Sequence, residues 1–142
     1  NFVIGRAEAM PFKNEAFDGV SGITTLCFIS NSAKAITEIK RVLRLGGNVV
    51  VGELNKFSYW AFLRRLKGSF KKSIYKAALF YSSKTLSGML QNAGFKDLRW
   101  SSCLYFPPIN SPWLLKRWRV FENTGKALFP QSGAFIVAAG AK

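Results

Sequence analysis

GRAEAMPFKNEAFDGVSGITTLCFISNSAKAITEIKRVLRLGGNVVVGE, residues Gly5 to Glu53, is the stretch whose reading decides the fold. It opens with a strand end and a tight turn, then passes through a buried strand from Phe17 to Ile23. From about Ser32 to Leu43 the apolar positions Ala35, Ile36, Ile39, Val42 and Leu43 recur at helical spacing, with Lys34, Lys40, Arg41 and Arg44 directed elsewhere. Basic residues in the last turn suit the negative end of the helix dipole. Gly46-Gly47 is expected to stop this helix in a left-handed turn. The Val-rich run Asn48 to Glu53 then has the composition of a strand covered on both faces. Two strands joined by a helical crossover lie parallel, with a right-handed connection. Ligands of such sheets sit outside the carboxyl ends of the strands, so the working positions are those just after Val20 and just after Val51.

The composition narrows the chemistry. At 142 residues and 49% apolar, the chain is long enough for one domain with a real core. No apolar run reaches the roughly 18 residues of a membrane span, and no charged segment precedes an apolar core at the N-terminus. There is no histidine, and Cys27 and Cys103 are the only cysteines. A Cys/His metal site therefore lacks its ligands, and hydrolase chemistry lacks its usual imidazole base. The two thiols read as reduced core cysteines, which points to the cytoplasm. The net charge of +14 is unevenly placed, because residues 54–142 carry fifteen basic and two acidic side chains. That half should attract anionic partners in a salt-dependent way.

Taken in order, Asn1 to Ile4 reads as the end of a buried strand, and Gly5 to Glu8 as the loop leaving it. Gly22 suits close approach of a ligand to backbone, or bends the strand end. Thr24 and Thr25 could turn hydroxyls into the cleft or cap the next segment. Glu53 is a candidate cleft carboxylate. From Phe57 to Tyr81, Trp60, Leu63, Leu66, Phe70, Ile74 and Ala78 form an apolar stripe among Arg64, Arg65, Lys67, Lys71, Lys72 and Lys76, and Gly68 is a natural break. Such a segment can lie on an anionic membrane or close a cleft. Its aromatics form a packing stripe and not a stacking platform, so nucleic acid is the unfavoured partner. Ser82 is the expected cap of a helix that ends at Asn92-Ala93-Gly94. A strand from Phe95 to about Tyr105 follows, ended by Pro107-Pro108. Ser111 to Phe129 reads as a second basic amphipathic helix opened by Pro112. Gly133 to Ala139 reads as a last buried strand.

The succession Gly-x-Ala-Glu-Ala-Met-Pro-Phe, Glu-x-Phe-Asp-x-Val, Thr-Thr-Leu-Cys-Phe-Ile and Ile-x-Arg-Val-Leu-x-x-Gly-Gly resembles the class I S-adenosylmethionine-dependent methyltransferases of the ubiquinone/menaquinone-biosynthesis type. The segment Asn92-Ala93-Gly94-Phe95 also fits. The resemblance implies a Rossmann-like α/β sheet, mostly parallel, with an antiparallel last strand inserted beside the previous one and helices on both faces. It covers about the C-terminal two-thirds of the family's domain. The Gly-rich first motif and the second strand's terminal acid have no counterpart here, so the reading is a single, partial domain over residues 1–142 with a basic aromatic lid at about 55–81.

By the same resemblance, Arg6, Ala7 and Glu8 hold the adenine of S-adenosylmethionine, and Gly22, Ile23 and Thr24 hold the rest of it. The family's usual acid at the second loop position is Arg6 here, and a guanidinium cannot accept the adenine amino proton. That contact falls to Glu8 or a backbone carbonyl, or is not made. Phe57, Tyr59, Trp60 and Tyr81 are expected to wall a pocket for a small-molecule or lipid-like methyl acceptor. No catalytic residue is assigned. A missing first strand would leave one edge of Phe17 to Ile23 unpaired, to be covered by a second copy of the chain, by a preceding part of the protein or by a rearranged N-terminal segment. A peripheral contact with an anionic membrane is the other expected association, and the alternative to an enzyme is a non-catalytic basic module that binds an anionic membrane or nucleic acid.

Overall fold

A computed structural model gives the fold of residues 2–68, 78–106 and 112–142; for 64–68, 113 and 114 only the helical backbone is described. The strands are β1 (Phe17–Ile23), β2 (Leu43–Leu54), β3 (Lys96–Cys103) and β4 (Phe135–Ala141). The helices are α1 (Ser32–Val42), α2 (Tyr59–Gly68), α3 (Ser83–Asn92), α4 (Pro112–Lys116) and α5 (Trp118–Leu128). One sheet forms in the order β1-β2-β4-β3. β1 and β2 are parallel, with Gly22 opposite Val51, and α1 is the crossover between them. β4 runs antiparallel to both β2 and β3. The first three strands thus share one direction and the last is inserted against them, as expected of a Rossmann-like methyltransferase sheet.

Local chemistry sets the helix ends. Asn31 Oδ1 accepts from Lys34 N at 3.0 Å and opens α1, and Ser82 Oγ accepts from Thr85 N at 3.0 Å and opens α3. Gly94, at φ +80°, lets the chain leave α3, and Lys40 Nζ donates to the exposed carbonyls of Ala93 and Gly94 at 2.8 and 3.0 Å. Ala35, Ile36 and Ile39 of α1 and Leu86 and Leu90 of α3 pack on Val49, Val51, Ile136 and Ala138, which share one face of the sheet. This is the core.

Several expectations are corrected. Gly46-Gly47 does not stop α1. Leu43 is already extended because its fully buried side chain pairs with Phe17 on β1, and the glycines form a bulge inside β2. A side chain on Gly47 would meet Asp18 O at 3.0 Å and Arg44 O at 2.9 Å, so the bulge needs that residue bare. β1 is an exposed edge strand and not a buried one, because no described strand pairs with its outer side. Among the described residues, helices cover the β1–β2 half on one face, and on the other Ser21, Ile23 and Val50 are exposed. Phe2, Val3 and Ile4 are exposed and join no ladder, having no neighbouring strand to pair with. The second basic helix is broken at Arg117 into α4 and α5, and α5 buries none of its residues. Cys103 is exposed on β3, while Cys27 is buried, and both are free thiols. Pro107-Pro108, Ser111 and the basic residues Lys71, Lys72 and Lys76 lie outside the described residues, as do Phe70 and Ile74.

The loop before β1 is fastened to α1. Arg41 donates to both Glu38 carboxylate oxygens at 2.8 Å, to Phe12 O at 2.8 Å and to Met10 O at 3.0 Å, while Met10 N donates to Glu38 Oε2 at 2.9 Å. The hydrogen-bonded guanidinium holds the Glu38 carboxyl at about 2, well below its ordinary 4.5. A depressed carboxyl pKa stabilises the fold above its unfolded value, so this contribution is complete above pH 4.5 and is lost as pH falls towards about 2. In an acid titration, the Met10 amide is expected to lose its exchange protection in that window. Arg41→Ala should move the loss to higher pH, and an unchanged midpoint would show that the clasp does not form.

Candidate functional site at the strand tips

The chain leaves β1 through a constrained turn. Thr24 sits at φ +51°, a region that side-chain-bearing residues rarely adopt, and its N–H donates to Gly52 O at 2.7 Å. The next two amides, Thr25 N and Leu26 N, donate to Glu53 Oε1 at 3.0 and 2.6 Å. Glu53 is fully buried, and its Oε2 has no partner among the described residues. The expected cleft carboxylate is therefore an internal brace, drawn under the tip by amides that need an acceptor. Beside it, burial and then the Glu53 carboxylate push the Cys27 thiol up to about 12, so this cysteine stays protonated at neutral pH. Leu26 O in turn accepts from Ser32 Oγ at 3.1 Å and Tyr81 Oη at 3.2 Å.

Arg6 turns into solvent with its side chain 79% exposed, and Nε lies 3.9 Å from the half-buried Glu8 carboxylate, which is 14% exposed. Of the two, Glu8 is the acid held against the protein. Ala7 packs on the core together with Val20 and Ile29. At Gly22 a Cβ would meet only Val51 Cγ1 at 3.9 Å and Thr25 Cβ at 4.0 Å. Both are ordinary packing distances, so no neighbour forces a glycine here. Ile23 is exposed beside it. A bare backbone at a strand tip and an acid on a loop packed against the same core fit an adenosyl ligand.

The expected acceptor wall divides. Phe57 and Tyr59 are exposed, and Tyr81 is buried, its phenol pushed up by burial and hydrogen-bonded to Ser32 at 2.7 Å. Of the four, Trp60 lines the pocket found among the described residues. Its Nε1 donates to Phe106 O at 2.9 Å, and its ring joins Leu54, Ser58, Ala61, Phe80, Leu104, Ala134 and Phe135 around a pocket of about 120 Å³. Residues after β2 are placed there by Asn55, which is buried. Its Nδ2 donates to Gln131 O at 2.6 Å and Gly133 O at 2.7 Å, and its Oδ1 accepts from Phe57 N at 3.0 Å. Ser58 Oγ then accepts from Ala61 N at 3.0 Å and opens α2. The spacing Asn55, Ser58, Ala61 ahead of an apolar helix was the signal in the sequence for this corner. Nothing in the sequence pointed to Leu104 or Phe135. Among the described residues, no group of acidic or cysteine side chains could hold a metal ion, and no helix is long and apolar enough to cross a membrane.

Residues 1–51 match the family model described as a methyltransferase domain. A Methanocaldococcus jannaschii protein of uncharacterised function is 35% identical over 103 residues, covering 72% of this chain and 50% of its own. A demethylmenaquinone methyltransferase of Roseiflexus castenholzii is 28% identical over 115 residues, covering 68% of this chain and 48% of its own. The chain thus spans about half the length of these curated relatives. Among solved structures, an S-adenosylmethionine-dependent methyltransferase of Thermotoga maritima, a possible histamine N-methyltransferase, superposes with a TM-score of 0.77 at 28% identity, covering 99% of this chain and 64% of that one. The chain has the fold of the S-adenosylmethionine-dependent methyltransferases and carries a match to their methyltransferase domain over its first 51 residues.

Proposed function

We propose that the chain belongs to a methyltransferase of the ubiquinone/menaquinone-biosynthesis type, which moves a methyl group from S-adenosylmethionine to a small-molecule or lipid-like acceptor. The observation that carries this reading is the bare backbone of Gly22 at the tip of β1, where a Cβ would meet nothing closer than Val51 Cγ1 at 3.9 Å. S-adenosylmethionine, when bound, supplies a methyl group on a sulfonium, which an in-line nucleophile can take without a strong base. The work left to the chain is holding and orienting. Arg6, Ala7 and Glu8 would hold the adenine end, with Glu8 as the acceptor for its amino group. Gly22, Ile23 and Thr24 would pass under the remainder, and Trp60 walls the acceptor side. The fold and domain matches favour this reading over a non-catalytic basic module. Two associations go with it: an anionic membrane for the basic second half, and a second copy along the unpaired edge of β1.

Titration calorimetry with S-adenosylhomocysteine tests the reading. Weak, saturable heat is expected. It should vanish in Gly22→Val, whose thermal unfolding should match the wild type because its Cβ meets nothing closer than 3.9 Å. No heat from the wild type, or equal heat from the variant, would overturn it.

A further inference from the structure

The pocket beneath α2 has mostly apolar walls, and the side-chain donors at its rim are already engaged. Ser58 Oγ donates to Asn55 O at 3.0 Å and accepts from Ala61 N at 3.0 Å; Trp60 Nε1 is committed to Phe106 O. Among the described residues no charged side chain lines it. A polar acceptor entering would give up water and find no free donor among the described lining residues, which disfavours a neutral group and a carboxylate more strongly. The pocket is partly open to solvent, and its volume of about 120 Å³ approaches the roughly 150 Å³ of an apolar cavity that takes up benzene. One wall is held at a backbone cost: Leu104 sits at φ +64°, fixed by Glu122 Oε2 accepting its N–H at 3.1 Å and by Ala134 N donating to its carbonyl at 3.0 Å. Another wall borders the strand tip. A Cβ on Gly52 would meet the Phe135 ring at 2.7 Å and Ile23 Cδ1 at 3.0 Å, so the pocket's Phe135 and the tip's Ile23 flank the same spot.

We infer that this pocket takes an uncharged hydrocarbon group, one ring or a short branched chain, as the non-reacting anchor of the methyl acceptor. The assignment of this group to an acceptor rests on the methyl-transfer reading; the pocket's preference for hydrocarbon does not. A nucleophilic acceptor atom finds no partner inside the pocket, so that atom lies outside it, on the side that Ile23 and Phe135 share. Binding energy from the anchor is then available to orient the reacting end. An acceptor without such a group would lose that orientation.

The test uses toluene and benzoate as probes, followed by the methyl resonances of Ala61 and Ala134. Toluene is expected to shift both in a saturable way, and benzoate, the same ring with a carboxylate, to bind about a hundredfold more weakly. Ala61→Leu, which extends a side chain into the empty volume, should weaken toluene about tenfold or more. If that variant fails to fold, the comparison of the two probes on the wild type still decides. Toluene shifts that map elsewhere, or equal binding of benzoate, would overturn the inference. The readout needs no cofactor: toluene binding without S-adenosylhomocysteine binding would sink only the methyl-transfer reading, and the converse only the pocket.

Discussion

Glu53→Ala is expected to lower the unfolding free energy by about 3 kcal/mol, whereas Glu53→Gln should cost less than about 1 kcal/mol. The carboxylate is the acceptor for two consecutive amides, Thr25 N at 3.0 Å and Leu26 N at 2.6 Å. Hydrogen bonds to a charged acceptor contribute about 1.5–3 kcal/mol each, and alanine would leave both donors inside the protein without a partner. The unpartnered Oε2 tempers the loss, because a buried charge lacking one partner is itself unfavourable. Glutamine keeps one carbonyl oxygen for the amides and removes the charge, which is why it should be tolerated. Urea unfolding monitored by circular dichroism checks both. If Glu53→Gln were as damaging as Glu53→Ala, the charge would matter for more than bracing the turn.

Asn55→Ala should cost a similar amount, about 2–4 kcal/mol, and should also open the acceptor side. The side chain makes three hydrogen bonds, two of them to carbonyls 76 and 78 residues away, Gln131 O and Gly133 O. They join the end of β2 to the approach of β4, the two sides of the small pocket. Asn55→Asp is the sharper comparison. It is nearly isosteric but has no N–H to give, so the two carbonyls would face a carboxylate. Thermal unfolding should rank wild type above both variants. The Trp60 Nε1 resonance should broaden in each as the corner loosens. A variant with wild-type stability would show that these carbonyls have other partners.

The parallel pair was legible because two signals agreed, an apolar period near 3.6 in Ala35 to Val42 and a Val-rich run after it. The glycine pair was misread because a left-handed Gly ends helices and makes bulges equally well; which one occurs depends on where Leu43 is buried. The exposure of Phe2, Val3, Ile4 and β1 could not be read from composition, since apolar residues signal a strand without naming its neighbours. At the site, Gly22 could be read as suiting a ligand or as a mere bend, and its assignment, like that of the loop at Arg6 to Glu8, came through family resemblance. Glu53 looked like a cleft acid because its partners, Thr25 and Leu26, are 28 and 27 residues away and their amides carry no sequence signal. The pocket was hidden for the same reason. Leu54, Phe80, Leu104 and Phe135 meet only because β4 is inserted between β2 and β3.

The central claim is that the tip of β1 and the loop before it form the surface on which an adenosyl ligand lies. The most direct measurement is a titration of the isotopically labelled chain with S-adenosylhomocysteine, followed residue by residue by amide chemical shift. The account predicts saturable shifts at Ala7, Glu8, Gly22, Ile23 and Thr24 that disappear in Gly22→Val. Shifts confined to the basic helices α4 and α5, or none at all at these five residues, would contradict it.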